Sequence, residues 1–202
     1  MIRGDCRPRK EHETDARRRR IIAAQNVSRM CLVCGADNPY GLYARFYELE
    51  GDAQGAAGPG ELLGVFTPRD EHQSYPGRLH GGISSAILDE TVGRAILIAH
   101  PDVWGVTAEF TVRFRAPVPL GGEIRVVARI TRDTSRLFEG TGEIVLEDGT
   151  VAVEGRGKYL KMGLDEIAPE MSGTTEWFAD TRARPDEVEF QPQPRDQAER
   201  GT

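Results

Sequence analysis

What this 202-residue chain lacks narrows its class before any motif is read. No stretch approaches the ~20 consecutive apolar residues of a membrane-crossing helix, so no membrane span is expected. Cysteine is scarce and odd in number, three in all, which excludes a disulfide framework. Basic excess is missing too: the formal net charge is −6, so no general attraction to nucleic acid is expected. The one basic run, Arg17-Arg18-Arg19-Arg20, follows Glu11, Glu13 and Asp15 and has no aromatic platform beside it. The basic amino terminus has no apolar core of the secretory kind, and a cytoplasmic protein is the expectation.

The apolar residues that are present concentrate in the middle. Residues 1–28 read as a charged extension, 29–162 as the folded domain, and 163–202 as a tail. The tail holds ten acids against four arginines, with repeated prolines and no sustained period, and is expected to be mostly disordered. Trp177 and Phe178 could dock locally or form a partner motif, and the sequence leaves both readings open. Within the domain, Leu42, Ala44 and Phe46 alternate with Tyr43, Arg45 and Tyr47 as in a half-buried strand. A Gly- and Ala-rich loop over 51–60 separates it from a second strand over 61–67. After residue 100, alternation marks strands over 106–114 and 124–130. Two more strands, over 136–147 and 151–162, flank Asp148-Gly149, a two-residue hairpin signal. Gly140, Gly142, Gly155 and Gly157 strip side chains from that last pair, which suggests a sheet curving closely around a packed object.

That object is the helix opened by the segment His80-Gly81-Gly82-Ile83-Ser84-Ser85-Ala86-Ile87-Leu88-Asp89-Glu90. The spacing predicts a helix over 82–99, apolar around most of its circumference and therefore buried. Its first N–H groups have no partner within the helix and present the positive end of the dipole. Such a terminus suits an oxygen that gains negative charge. Two acids sit about two turns further in. Glu90 lies four residues before Arg94, the favourable order for an exposed ion pair. Asp89 has no evident partner, which makes it the candidate base or nucleophile.

Cys31 and Cys34 form a single C-x₂-C, whereas a structural zinc normally takes four ligands. The pair reads as a turn before the first strand, and no metal is expected.

The stretch His80 to Glu90 resembles the signature of the hot-dog acyl-CoA thioesterases of the PaaI-like type. In that family a His-Gly-Gly opens the central helix and a catalytic acid follows the His by nine positions, as Asp89 follows His80. The likeness extends to Cys31-Leu32-Val33-Cys34-Gly35, Asn38-Pro39 and Gly41-Leu42 upstream. Downstream it takes in Thr107-Ala108-Glu109-Phe110 and Arg115-Ala116-Pro117-Val118-Pro119-Leu120-Gly121. The resemblance implies an α+β hot-dog fold, a curved antiparallel sheet wrapped around one long helix, in the order two strands, helix, four strands. It implies hydrolysis of acyl-CoA to free acid and CoA, without a cofactor, by a homodimer or a tetramer of paired dimers. Asp89 would act as base or nucleophile, and the Gly81 or Gly82 N–H would hold the oxyanion. His80 would orient the turn or the thioester, and Thr107 would help place water. Gln73, with Ser74 beside it, stands where family members carry an amide that binds the thioester or water. Arg113 and Arg115 could meet CoA phosphates, although strand arginines more often serve solubility and pairing. A non-catalytic acyl-CoA binder of the same fold would be expected to lose the acid.

Overall fold

In the computed structural model the described residues are 17–51, 60–169 and 176–190. The expectations for residues 1–16, for the loop over 52–59 and for 170–175 and 191–202 lie outside them. Among the described residues, ten strands and one main helix succeed one another in chain order. They are β1 (Arg17–Ala24), β2 (Val27–Ser28), β3 (Arg45–Leu49), β4 (Glu61–Phe66) and α1 (Gly81–Arg94), then β5 (Trp104–Phe114), β6 (Ile124–Asp133), β7 (Leu137–Val145), β8 (Val151–Met162), β9 (Trp177–Phe178) and β10 (Glu187–Phe190). Eight of the strands form one antiparallel sheet in the order β10-β1-β3-β4-β6-β7-β8-β5, and β2 pairs with β9 apart from it. The fold is α+β, as expected. No helix among the described residues is long and apolar enough to cross a membrane.

Helix α1 starts one residue before the predicted position and passes at Ala95 into a 3₁₀ turn ending at Ile98. Ile87, Leu88 and Val92 are fully buried against the sheet, and burial of each such side chain stabilises by about 1.5–3 kcal/mol. The bare backbone opposite makes the fit possible. A Cβ on Gly140 would come within 2.7 Å of one Val92 methyl, and a Cβ on Gly142 within 2.8 Å of the other. The hairpin joining β7 to β8 is one residue longer than its Asp-Gly signal suggested. Leu146 and Thr150 are bonded across a Glu147-Asp148-Gly149 loop, and Gly149 supplies the positive φ of 84° that closes it.

Two expectations require correction. The sheet does not stop at the bounds 29–162, because β1 joins it from the charged extension, pairing with β3 on one side and β10 on the other. Nor are residues 176–190 of the acidic tail without structure. Asp180 accepts from Arg45 Nε at 3.0 Å, Val188 packs on the outer face of the sheet, and Trp177 meets Trp104 edge-on at 4.7 Å. The periodicity test fails on this segment for a physical reason. Its anchors are scattered ionic, aromatic and apolar contacts, and its strands of two and four residues are too short to show a period.

The tight approach of α1 to β7 predicts that Gly142→Val lowers unfolding free energy by about 1–3 kcal/mol or more through overpacking, read from urea denaturation midpoints. An unchanged midpoint would mean that helix and sheet are less closely matched than this packing implies.

Candidate functional site

The sequence builds the turn before α1 by pinning it from several sides. His72 is buried; its Nδ1 accepts from the Arg69 N–H, so the Nε2 that lies 3.0 Å from the Tyr40 carbonyl is the donor. His80 N–H donates to the His72 carbonyl and Leu79 N–H to that of Val118, each at 2.9 Å. His80 is then the N-cap of α1. Its ring Nδ1 accepts from Gly82 N–H at 2.9 Å, and its carbonyl accepts from Ile83 and Ser84. The Gly82 N–H is therefore occupied. That of Gly81 makes no hydrogen bond among the described residues, and a Cβ built on Gly81 would lie 3.3 Å from the Phe114 ring.

Asp89 is not without partners, contrary to the sequence reading. Thr107 Oγ1 donates to its carboxylate, 3.0 Å from Oδ1 and 3.2 Å from Oδ2, and Tyr159 Oη donates to Oδ1 at 3.0 Å. Burial pushes the Asp89 carboxyl above its ordinary pKa, against the pull of the Thr107 and Tyr159 hydrogen bonds, and the neighbouring Glu90 adds to the rise. Tyr159 is itself pushed far up by burial and by the Asp89 charge, so it remains a donor across the working pH range.

Simple alternation would put Thr107 on the face opposite Phe110. A β-bulge at Ala108 reverses it, so that Thr107 pairs with Tyr159 and Phe110 with Gly157, all facing α1. Tyr159 was the residue sequence reasoning missed. The signal was available: it continues the inward row of Gly155 and Gly157 on β8. Glu90 does pair with Arg94, at 2.7 Å, but the arginine is buried rather than exposed.

Thr107 and Asp89 are thus brought together; the other expected residues are not gathered around them. Gly81 starts the helix eight residues earlier, about 12 Å along its axis. Gln73 and Ser74 are exposed in a turn over 73–78, where Gln73 Oε1 accepts from Gly77 N–H and Ser74 N–H donates to the Arg78 carbonyl. The bridge between Gln73 and Leu79 keeps that turn next to His80. Arg113 and Arg115 lie at the far end of β5, with Arg113 roughly 20 Å along the strand from Thr107. Arg115 pairs with Glu154 at 2.9 Å. As for metal ligands, Cys31, Cys34 and Glu90 each bring one donor atom within 4.8 Å of the other two.

Residues 76–153 match the family model of the thioesterase superfamily. Human acyl-coenzyme A thioesterase 13 is 26% identical over 82 residues, which is 41% of this chain and 59% of that protein. The mouse protein of the same name is 24% identical over the same shares. The chain thus covers about three-fifths of the length of these curated relatives. A thioesterase superfamily protein of known crystal structure shares 26% identity at a TM-score of 0.58, over 66% of this chain and 61% of that one. The PaaI protein of E. coli, from the phenylacetic acid degradation operon, superposes at a TM-score of 0.52 with 16% identity, over 60% of this chain and 81% of that one; at that identity the likeness is one of fold alone. With a helix opened by His80-Gly81-Gly82 and laid across an antiparallel sheet, this chain has the hot-dog fold, and its segment 76–153 is similar to the thioesterase superfamily.

Proposed function

We propose that the protein hydrolyses acyl-CoA thioesters, with Asp89 as the general base. The observation that carries this reading is the clamp on Asp89. A carboxylate held by Thr107 and Tyr159 has a fixed direction, and its raised pKa brings its basicity closer to that of a useful proton acceptor. Tyr159 Oη is shared between Oδ1 and the Asp89 backbone carbonyl, at 3.0 and 3.2 Å, which leaves Oδ2 less encumbered. Water bound between Oδ2 and the Thr107 hydroxyl would lose a proton to Asp89 as it attacks the thioester carbonyl. The oxygen that becomes negative would accept from the Gly81 N–H, a donor worth about 3 kcal/mol in such sites. Collapse then expels the CoA thiolate, which takes the proton back from Asp89. His80 holds the turn that aims Gly81; Gln73 and Ser74 flank the acyl entrance, and Arg113 and Arg115 face the phosphates of CoA.

Gly81 and Asp89 of one helix are too far apart to serve one carbonyl, because donor and base must each lie roughly 3 Å from the reacting atoms. A two-fold axis solves this: the start of one α1 then lies beside the middle of the other. The supporting observation is β5, an eleven-residue strand at the end of the sheet that carries both Thr107 and the exposed Phe114 ring beside Gly81. Such an edge is a template for strand pairing. The reading is therefore a homodimer with two composite sites, each taking its base from one protomer and its oxyanion donor from the other.

Asp89→Asn should lower kcat on an acyl-CoA panel, followed by thiol release, by about 10²–10⁴-fold, whereas Glu90→Gln keeps most of the turnover. The opposite outcome would transfer the role to Glu90. A base must be deprotonated to act, so activity should fall as pH drops through a value above the ~3.9 of a free aspartate. Thr107→Val and Tyr159→Phe each remove a hydrogen bond that favours the carboxylate. Both should move that acid limb to higher pH, and a shift to lower pH would contradict the clamp. Mixing Asp89→Asn with Gly81→Pro chains should restore activity absent from either alone, since one of the two sites in a mixed dimer is intact. Mixed dimers that form but stay inactive would place each site within a single chain.

A further inference from the structure

The C-x₂-C turn gains in three dimensions what its spacing lacked. Cys31 and Cys34 sit on a tight turn before β3, and α1 passes beside it with Glu90 and Arg94 facing the two sulfurs. Both sulfurs and a Glu90 carboxylate oxygen lie within 4.8 Å of one another. Both cysteines are free of disulfide bonds. Val33 N–H points at Cys31 Sγ at 3.3 Å, and Arg94 Nη2 donates to Cys34 Sγ at 3.0 Å. Hydrogen bonds to the sulfurs are what an outer shell supplies to thiolate ligands. Arg94 cannot turn away, because Nε is on Glu90 at 2.7 Å, Nη1 is on the Asn26 carbonyl at 2.9 Å, and its guanidinium is stacked over Phe46 and Trp177.

We propose that Cys31, Cys34 and Glu90 bind a thiophilic divalent cation, zinc in the first instance, as a structural clamp between the 31–35 turn and α1. Tetrahedral zinc, with Zn–S near 2.3 Å and Zn–O near 2.1 Å, needs its ligand atoms about 3.6–3.8 Å apart, a spacing small rotamer changes reach from here. Charge favours the same ion. Two thiolates and a carboxylate carry three negative charges, Arg94 supplies one positive, and a divalent cation brings the cluster to neutrality. Sulfur donors and the adjacent guanidinium disfavour magnesium and calcium, which want oxygen ligands. Cys34 is buried while Cys31 and Glu90 are partly open, so the ion enters from their side and a water takes the fourth position. Glu90 lies one residue from Asp89, so the clamp fixes the rotation of α1 without entering the hydrolytic site.

The test uses the full-length chain, purified without chelator from zinc-supplemented cells. Elemental analysis should find about one zinc per chain, and cobalt added after chelator treatment should give a near-ultraviolet sulfur-to-metal charge-transfer band. Cys31→Ser, Cys34→Ser and Glu90→Gln should each weaken zinc binding by more than the ~10–100-fold typical of an outer-shell change. If a cysteine variant fails to fold, Glu90→Gln and the cobalt spectrum of the unaltered chain still decide. A chain that takes up neither ion would overturn the proposal. So would peptide mapping that finds a Cys31–Cys34 disulfide, or metal content unaffected by Glu90→Gln.

Discussion

Helix α1 lies against β7 and β8 at a distance that only a missing side chain permits, and most of the molecule is arranged by that contact. Val92 occupies the space where Cβ atoms of Gly140 and Gly142 would stand, and Leu88 lies 3.4 Å from where one would stand on Gly155. Overpacking costs apply to helix and sheet alike, so neither partner can shift without opening or overfilling this seam. The seam also fixes the rotation of the helix. With Ile87, Leu88 and Val92 inward, Asp89 is turned toward the β5–β8 end of the sheet and Glu90 toward the C-x₂-C turn.

That rotation has consequences on both sides of the helix. Toward the end of the sheet, the inward row of β8 continues from its two glycines to Tyr159, which stacks on Phe138 at 4.9 Å and reaches Asp89 with its hydroxyl. A large aromatic fits there because the two positions before it are bare. Toward the other side, Arg94 is drawn inside by a set of partners that neutralise and cover it: Glu90, the Asn26 carbonyl, Cys34 and two aromatic faces. A buried guanidinium without them would cost several kcal/mol. Two adjacent acids on one helix thus have different partners because neighbouring positions point about 100° apart.

The outer face of the sheet has its own apolar cluster around Ile21, Tyr47, Leu49, Leu63, Val127 and Val145, with Val188 of the carboxy-terminal segment packed on it. A sheet apolar on both faces needs cover on both. Helix α1 covers one side, and the segment ending in β10 contributes to the other. The tail is therefore joined to the fold by the same hydrophobic requirement that buries the helix, although its sequence is dominated by charge.

Much of this was legible in the residues. Hydrophobic periodicity marked α1 and the six strands β3 to β8, because a 3.6-residue or two-residue repeat survives wherever one face is consistently buried. The glycine pattern marked the close approach, and His80-Gly81-Gly82 marked the start of α1. Other features arise from contacts between distant strands. The bulge at Ala108 reverses which side of β5 Thr107 faces, and no alternation pattern registers a single unpaired residue. Tyr159, 70 residues after Asp89, becomes its partner through the pairing of distant strands. The strands β1 and β10 are held by each other, by the pairing of β1 with β3 and by single apolar side chains such as Ile21 and Val188, so neither carries a period of its own. Local residue order decides which segments have a face to bury. Which faces meet depends on contacts between residues far apart in the chain, and those exist only once the sheet has closed around the helix.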